Sequence, residues 1–334
     1  MDYKETVEKI EKRGSFLSYR TDVKVLDCTI RDGGLVNNFD FNDDFVKNLY
    51  NTCIESGVDY MELGYKSSKK IFAPSKYGIW KFCNEDDIRR IVGDNNSPLK
   101  LSVMADTGKT DYHEDILPKQ QSAIDMIRIA TYIHQIPSAI DMIKDAHDKG
   151  YETCVNLMSI SLISESELDD ALEMLSRSEA DCIYLVDSFG ALYSEQIRVL
   201  TRKYLQVAEQ TGKKIGIHTH NNQQLAYANT IEALVMGASY LDATMAGLGR
   251  GAGNCPLELL LGFLRNPKYN LRPVVKFIQE NIPALQEKGV EWGFNIPYML
   301  TGQLNLHPKI AIDYLDSKDK NDHLSFYDKL MNEE

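Results

Sequence analysis

The chain lacks any run of about 18 apolar residues, the length a membrane-spanning helix needs, so no membrane role is expected. It also lacks paired cysteine spacing. The six cysteines are Cys28, Cys53, Cys83, Cys154, Cys182 and Cys255, and none form CxxC. That excludes a zinc ribbon and a thioredoxin-type redox motif. Cys28, Cys154 and Cys182 lie in apolar runs, where a small buried thiol is the ordinary explanation. A reducing, cytoplasmic compartment is expected. The charged first residues, Met1 to Thr6, contain no apolar stretch, so no signal peptide is expected. Basic clusters are missing as well. Lys and Arg number 37 against 49 Asp and Glu, giving a net charge of −12. Pairs such as Lys69-Lys70 and Lys213-Lys214 are short, scattered and best read as solvated surface. The phosphate backbone of a nucleic acid is therefore not an expected partner.

What remains is an ordinary soluble composition, 43% hydrophobic and 26% charged over 334 residues. That length suits one α/β domain of roughly 250 residues plus an extension, with no need of disulfide staples. Strand-like apolar runs fall at 23–30, 58–63, 99–104, 126–130, 152–158, 182–186, 214–218 and 240–244. Amphipathic stretches lie between them; 43–56 and 165–178 carry apolar residues at three-to-four spacing. Turn glycines Gly57, Gly150 and Gly237 close several helices just before the next strand. Eight strands each followed by a helix is the count of a (β/α)8 TIM barrel, expected over residues 22–265. A doubly wound open sheet is the alternative, but the turn Arg31-Asp32-Gly33-Gly34 is no dinucleotide fingerprint. Residues 266–334 are expected to form a C-terminal helical extension, with a helix at 274–286 and a polar end at 316–334. Residues 1–20 are expected to be helical and peripheral.

In such a barrel the chemistry sits at the C-terminal ends of the strands. His218 and His220 end the seventh strand, and residues two apart on a strand point to one side. Two imidazoles projecting together suit a divalent metal. Asp32, at the end of the first strand, would complete a mixed N/O set with open positions. Such a set suits Mn²⁺, Mg²⁺ or Co²⁺ better than a closed zinc site. The alternative is that the histidines are core residues and Arg31 simply pairs with Asp32. Other polar residues expected on the same ring are Glu62, Tyr65, Arg128, Asn156 and Asp187, with Asp242 and Thr244 from strand eight. After strand eight, Gly247, Gly249, Gly251 and Gly253 alternate up to Asn254. Glycines there allow close approach of backbone to a ligand, or simply a tight loop closing the barrel. No GKS or GKT follows, so a phosphate loop is not indicated.

Together, Asp27-Cys28-Thr29-Ile30-Arg31-Asp32-Gly33, His218-x-His220-Asn221-Asn222 and the 246–254 glycine run resemble the three signatures of the DRE-TIM metallolyases. These include 4-hydroxy-2-oxovalerate aldolase, HMG-CoA lyase and the 2-isopropylmalate and homocitrate synthases. The resemblance covers roughly residues 22–265. It implies metal ligation by Asp32, His218 and His220, with Asn254 a further ligand. The metal would be Mn²⁺ or Mg²⁺, with Co²⁺ or Zn²⁺ as alternatives. It implies that Arg31 contacts the substrate's carbonyl or enolate oxygen. The run 251–258 looks closest to the aldolase branch. The implied activity is cleavage or formation of a C–C bond beside a 2-oxoacid, such as pyruvate, through an enolate. A homodimer, or a dehydrogenase on a separate chain, is the partner this branch implies.

One departure matters. The aldolases carry a histidine three residues after the metal aspartate; here that position is Leu35, which cannot move a proton. Tyr65 and His307 are the expected proton-transfer groups, with Asp187 and Tyr298 as further candidates. Glu62, Arg128, Asn156 and Asp187 are expected to bind substrate with Arg31. Cys255 follows Asn254 and is read as a buried thiol. A Claisen-type acyl-CoA synthase and a non-catalytic ligand-binding barrel stay open beside the lyase.

Overall fold

The computed structural model describes residues 20–332. The peripheral helix expected over residues 1–20 lies, except for its last residue, outside them. All eight expected strands form: β1 Lys24–Asp27, β2 Tyr60–Tyr65, β3 Lys100–Asp106, β4 Met126–Thr131, β5 Glu152–Leu157, β6 Cys182–Asp187, β7 Lys214–Thr219 and β8 Tyr240–Ala243. Each pairs in parallel with its sequence neighbour, and β8 returns to β1 with Leu26 opposite Asp242. The sheet is closed, so the architecture is a TIM barrel and not an open doubly wound sheet.

The strands are buried on both faces, which is why they read as apolar runs and not as alternation. One set of side chains faces the surrounding helices: Val25, Met61, Ile127, Val155, Ile183 and Ile217. The other set fills the lumen: Leu26, Met126, Cys154, Cys182 and Tyr184. Tyr184 is accommodated because its neighbour on β7 is Gly216. A Cβ there would sit 2.5 Å from the Tyr184 ring. All six cysteines are free and buried, as expected for Cys28, Cys154, Cys182 and Cys255.

Two local features re-aim residues toward the C-terminal end. The first concerns residues 28–32, expected to continue strand one. The strand stops at Asp27, and Thr29–Asn37 is a helix. The Asp27 carboxylate accepts from the Thr29 backbone N–H at 3.1 Å and the Thr29 hydroxyl at 2.7 Å, which fixes the helix start. Gly33 and Gly34 weaken helix propensity, but contact demands them. A Cβ on Gly33 would lie 2.7 Å from Leu248 Cδ2, and one on Gly34 would enter the Phe39 ring. Arg31 and Asp32 are thus held on a first helical turn, not a strand end.

The second feature is a register shift between Glu62 and Tyr65 on β2. Gly64 has φ +150°, and a Cβ there would run into the Trp80 carbonyl. Without this bulge Tyr65 would share the outward face of Leu63.

Helices Leu257–Leu264, Leu271–Glu287, Ile296–Gln303, Lys309–Leu315 and His323–Asn332 follow the barrel. The second of these covers the helix expected at 274–286 and packs Phe277 on Phe45, ring centroids 5.2 Å apart. The connection between the second and the third grips the glycine-rich loop. Trp292 Nε1 donates to the Ala246 carbonyl at 2.9 Å, and Gly293 N–H to the Gly251 carbonyl at 2.9 Å. Among the described residues no helix is long and apolar enough to cross a membrane.

Candidate active site

A cavity opens at the C-terminal end of the barrel. Its walls include Arg31, Asp32, Leu35, Tyr65, Asn156, His218, His220, Arg250 and His307. Sequence positions nearly 280 residues apart therefore meet in one place. Glu62, Arg128, Asp187, Asn254 and Tyr298, also expected in the site, do not line this cavity.

The histidine pair is oriented from behind. His218 Nδ1 lies 3.0 Å from Asp242 Oδ2, and His220 Nδ1 lies 3.1 Å from the Asp187 carbonyl oxygen. Neither oxygen can donate when the carboxylate is ionised, so each Nδ1 carries the hydrogen. That leaves the Nε2 lone pairs on the other side. They sit 3.4 Å (His218) and 3.7 Å (His220) from Asp32 Oδ2. The rings stand nearly perpendicular, 80°, with centroids 5.0 Å apart. A histidine fixed at Nδ1 by a carboxylate or carbonyl is the usual outer partner arrangement of a metal ligand.

The donor set fits a divalent cation. One ligand atom from each of Asp32, His218 and His220 lies within 4.8 Å of the others. Both Asp32 oxygens and His218 Nε2 are buried without a hydrogen-bond partner, and so is Asn254 Oδ1. Buried polar atoms are ordinarily satisfied. Asn254 is brought alongside by an antiparallel bridge to His220, and its amide Nδ2 donates to the Leu248 carbonyl at 3.2 Å. Burial works against the Asp32 charge, but Arg31 and the two histidines outweigh it and hold the carboxyl well below its usual range. Burial drops the His220 imidazole to about 3. Burial also opposes a charge on His218, yet bonds to Asp242 and Asp32 raise it.

A buried charge chain runs beneath the cavity. Arg31 Nε donates to Glu62 Oε2 at 2.8 Å, and Arg128 Nη1 reaches the same oxygen at 2.8 Å. Arg128 Nη2 bonds Asp242 Oδ2 at 2.5 Å, and Asp242 holds His218. Glu62 and Arg128 therefore aim Arg31 and His218 from behind the wall. Arg128 also stacks on the Tyr184 ring, 4.3 Å from its centroid.

The other expected groups differ in what they can do. The Asp187 carboxylate accepts from the Ala191 and Leu192 backbone N–H at 3.0 and 3.3 Å, and burial raises it to about 7. Burial pushes the Tyr65 phenol up, so it keeps its proton at neutral pH. Tyr298 packs beneath Gly251. His307 sits at the mouth, 5.4 Å from Phe189. Its Nδ1 accepts from the Lys309 backbone N–H at 3.1 Å, which leaves the hydrogen on Nε2. Burial and then the nearby Arg250 lower it. Burial pushes the Cys255 thiol up to about 12, in keeping with an inert buried residue.

Two residues had no role assigned from sequence. Asp242 orients His218; its signal was register, since β7 and β8 pair Gly216 with Tyr240, two residues below each. Arg250 lines the cavity from inside the glycine run, where the glycines drew attention away from it.

The HMGL-like family model matches residues 22–279. The 4-hydroxy-2-oxovalerate aldolase of Bacillus cereus is 30% identical over 251 residues, 75% of this chain and 71% of the relative. The oxaloacetate decarboxylase of Mycobacterium tuberculosis is 30% identical over 246 residues, 72% of this chain and 69% of the relative. Among solved structures, the N-terminal domain of a candidate aldolase from Bacteroides vulgatus superposes with a TM-score of 0.78. It is 31% identical and covers 88% of this chain and 97% of that one. HMG-CoA lyase of Bacillus subtilis, 17% identical, shares the fold with a TM-score of 0.65 over 82% of this chain and 96% of its own. With its barrel, its His218-x-His220 strand end and this match, the chain belongs to the HMGL-like family.

Proposed function

We propose that the protein is a divalent-metal-dependent carbon–carbon lyase acting on a 2-oxoacid. The single observation that carries the reading is the convergence of Asp32, His218 and His220, with unpartnered ligand atoms, beside the unpaired Nη2 of Arg31. Asp32, His218 and His220 would hold the ion, with Asn254 Oδ1 as a fourth donor. A bound Mn²⁺ or Mg²⁺ would supply positive charge to a 2-oxoacid's carboxylate and keto oxygens, lowering the cost of an enolate. Arg31 faces the same oxygens. Its Nε is occupied by Glu62 and its Nη1 lies 3.4 Å from Asp32 Oδ1, which leaves Nη2, held in place by both, for developing negative charge. The Asn156 side-chain oxygen, buried and unpartnered, is the neighbouring acceptor. Tyr65, protonated, is the donor placed to return a proton to the enolate carbon.

Aldol cleavage also needs a base for the substrate hydroxyl. Leu35 lies on the cavity wall where that base would stand. This favours a second reading within the same class, decarboxylation of a 2-oxoacid that carries a further carboxylate on C3, such as oxaloacetate, where loss of that carboxylate as carbon dioxide leaves the enolate with no hydroxyl proton to remove. The barrel, residues 22–265, carries these groups, and the extension, 266–334, adds His307 at the mouth.

Both readings require the enolate. Mn²⁺-loaded protein should exchange the methyl protons of pyruvate with D₂O, followed by NMR. Metal-loaded protein that leaves pyruvate and other 2-oxoacids unexchanged would refute the proposal. Carbon dioxide release from oxaloacetate, against aldehyde release from 4-hydroxy-2-oxovalerate, separates the two readings.

A further inference from the structure

We propose that the substrate's far end carries a second anionic group, a carboxylate or a phosphate, bound by Arg250 together with His307. The inference rests on the 2-oxoacid reading and deepens it.

Charge is the first argument. The protein as a whole is acidic, at −12. Its cavity is the reverse: the wall carries Arg31, Arg250 and three histidines, and Asp32 is its one acidic side chain. The metal set and Arg31 are taken up by the head of a 2-oxoacid. Arg250 is left over.

The second argument is how Arg250 is held. Arg31 and Arg128 each bond a buried carboxylate. Arg250 is half-buried, and among the described residues no carboxylate lies within 4.0 Å of it. Its guanidinium contact is Nη2 to the Ser188 carbonyl oxygen at 3.3 Å. A guanidinium facing a cavity without a counter-charge is ready for a bidentate oxyanion.

Rigidity is the third. Gly251 on one side has φ +60°, and a Cβ there would enter the Tyr298 ring. Gly253 N–H donates to the Arg250 carbonyl at 3.0 Å, and Gly293 N–H to that of Gly251 at 2.9 Å. The loop is pinned by the C-terminal helices, so little ordering is needed on binding. Those helices also bring His307, whose protonated Nε2 offers a donor and no negative charge. The cavity lining continues past the histidine pair to Ser188, Phe189, Arg250 and His307, where the far end of a longer substrate would lie.

The test is calorimetric titration of the Mn²⁺-loaded protein with 2-oxoglutarate, 2-oxoadipate and 2-oxo-4-phosphonobutyrate, against uncharged 2-oxovalerate. At least one anion-ended ligand should bind tighter than 2-oxovalerate by about tenfold to a hundredfold, the scale of a charge-assisted bond. The two carboxylate ligands and the phosphonate identify which anion is preferred. Arg250→Gln should abolish the preference, and Arg250→Lys should restore part of it. Equal binding of charged and uncharged ligands to the unaltered protein would overturn the proposal. So would a preference that survives Arg250→Gln intact. A preference seen without pyruvate proton exchange would count against the lyase and leave the anion site standing.

Discussion

The two ends of the barrel lumen hold similar residues and treat them oppositely. At the N-terminal end, Glu152 accepts from the Tyr60 hydroxyl at 2.9 Å, the Tyr240 hydroxyl at 3.0 Å and Lys100 Nζ at 2.8 Å. Its carboxylate is fully used. At the C-terminal end, both Asp32 oxygens, His218 Nε2, Asn254 Oδ1 and Arg31 Nη2 are buried and unpartnered. A fold that uses a carboxylate fully at one end and gathers several unmet ligand atoms at the other is storing binding capacity there, because an unmet buried group otherwise costs stability. The contrast marks the top as a site and the bottom as a plug.

The sharpest break of that contrast is His218→Ala. It should remove bound Mn²⁺, measured by metal analysis after dialysis, and with it pyruvate proton exchange. The loss in metal affinity should exceed the roughly 10–100-fold typical of outer partners. Unchanged metal content would end the ligand assignment. Next comes Arg128→Met, which leaves Glu62 and Asp242 buried without their shared cation. Breaking a buried pair this way costs about 3–5 kcal/mol, readable by urea unfolding. A stability near that of the unaltered protein would mean the charge chain is not a structural unit.

A third effect is set by pH. Asp27, at the foot of the helix carrying Arg31 and Asp32, is buried, and burial raises it to about 7 despite the Thr29 bonds. In the unfolded chain it titrates near 3.9. Between those values the folded protein keeps a proton that the unfolded chain releases, so this group's contribution falls as pH rises from about 4 to 7. The slope is at most one proton, about 1.4 kcal/mol per pH unit. Asp27→Asn should flatten that part of a stability–pH profile; an unchanged slope would place the titration elsewhere.

The same contrast explains what could be read from sequence. The eight strands were legible because double burial makes each an apolar run, and His218 with His220 because strand parity puts them on one side. The Thr29–Asn37 helix was not legible. Gly33 and Gly34 oppose a helix locally and are demanded by Leu248 and Phe39, which are remote in sequence. Parity alone would place Tyr65 outward with Leu63; the bulge at Gly64 brings it to the cavity. Glu62, Arg128 and Asp187 were read as part of the ring, and depth along the lumen, which no local pattern encodes, puts them behind it. Arg250 was hidden among glycines, and its lack of a carboxylate partner is visible only once the chain is folded.

The bottom of the barrel gives the smallest and most discriminating change. Glu152→Gln keeps one acceptor oxygen for Tyr60 or Tyr240 and loses the charge that Lys100 meets. Because Lys100 is exposed and screened, the cost should be about 1 kcal/mol, the size of one ordinary hydrogen bond. Metal content and pyruvate proton exchange should stay as they are, since nothing at this end points to the cavity. Urea unfolding reads the first expectation, and metal analysis with NMR exchange reads the second. A variant that unfolds only slightly more easily, yet loses metal, would show that the lumen transmits changes from plug to site. In that case Tyr184, packed on both Arg128 and Tyr240, is the side chain through which they would pass.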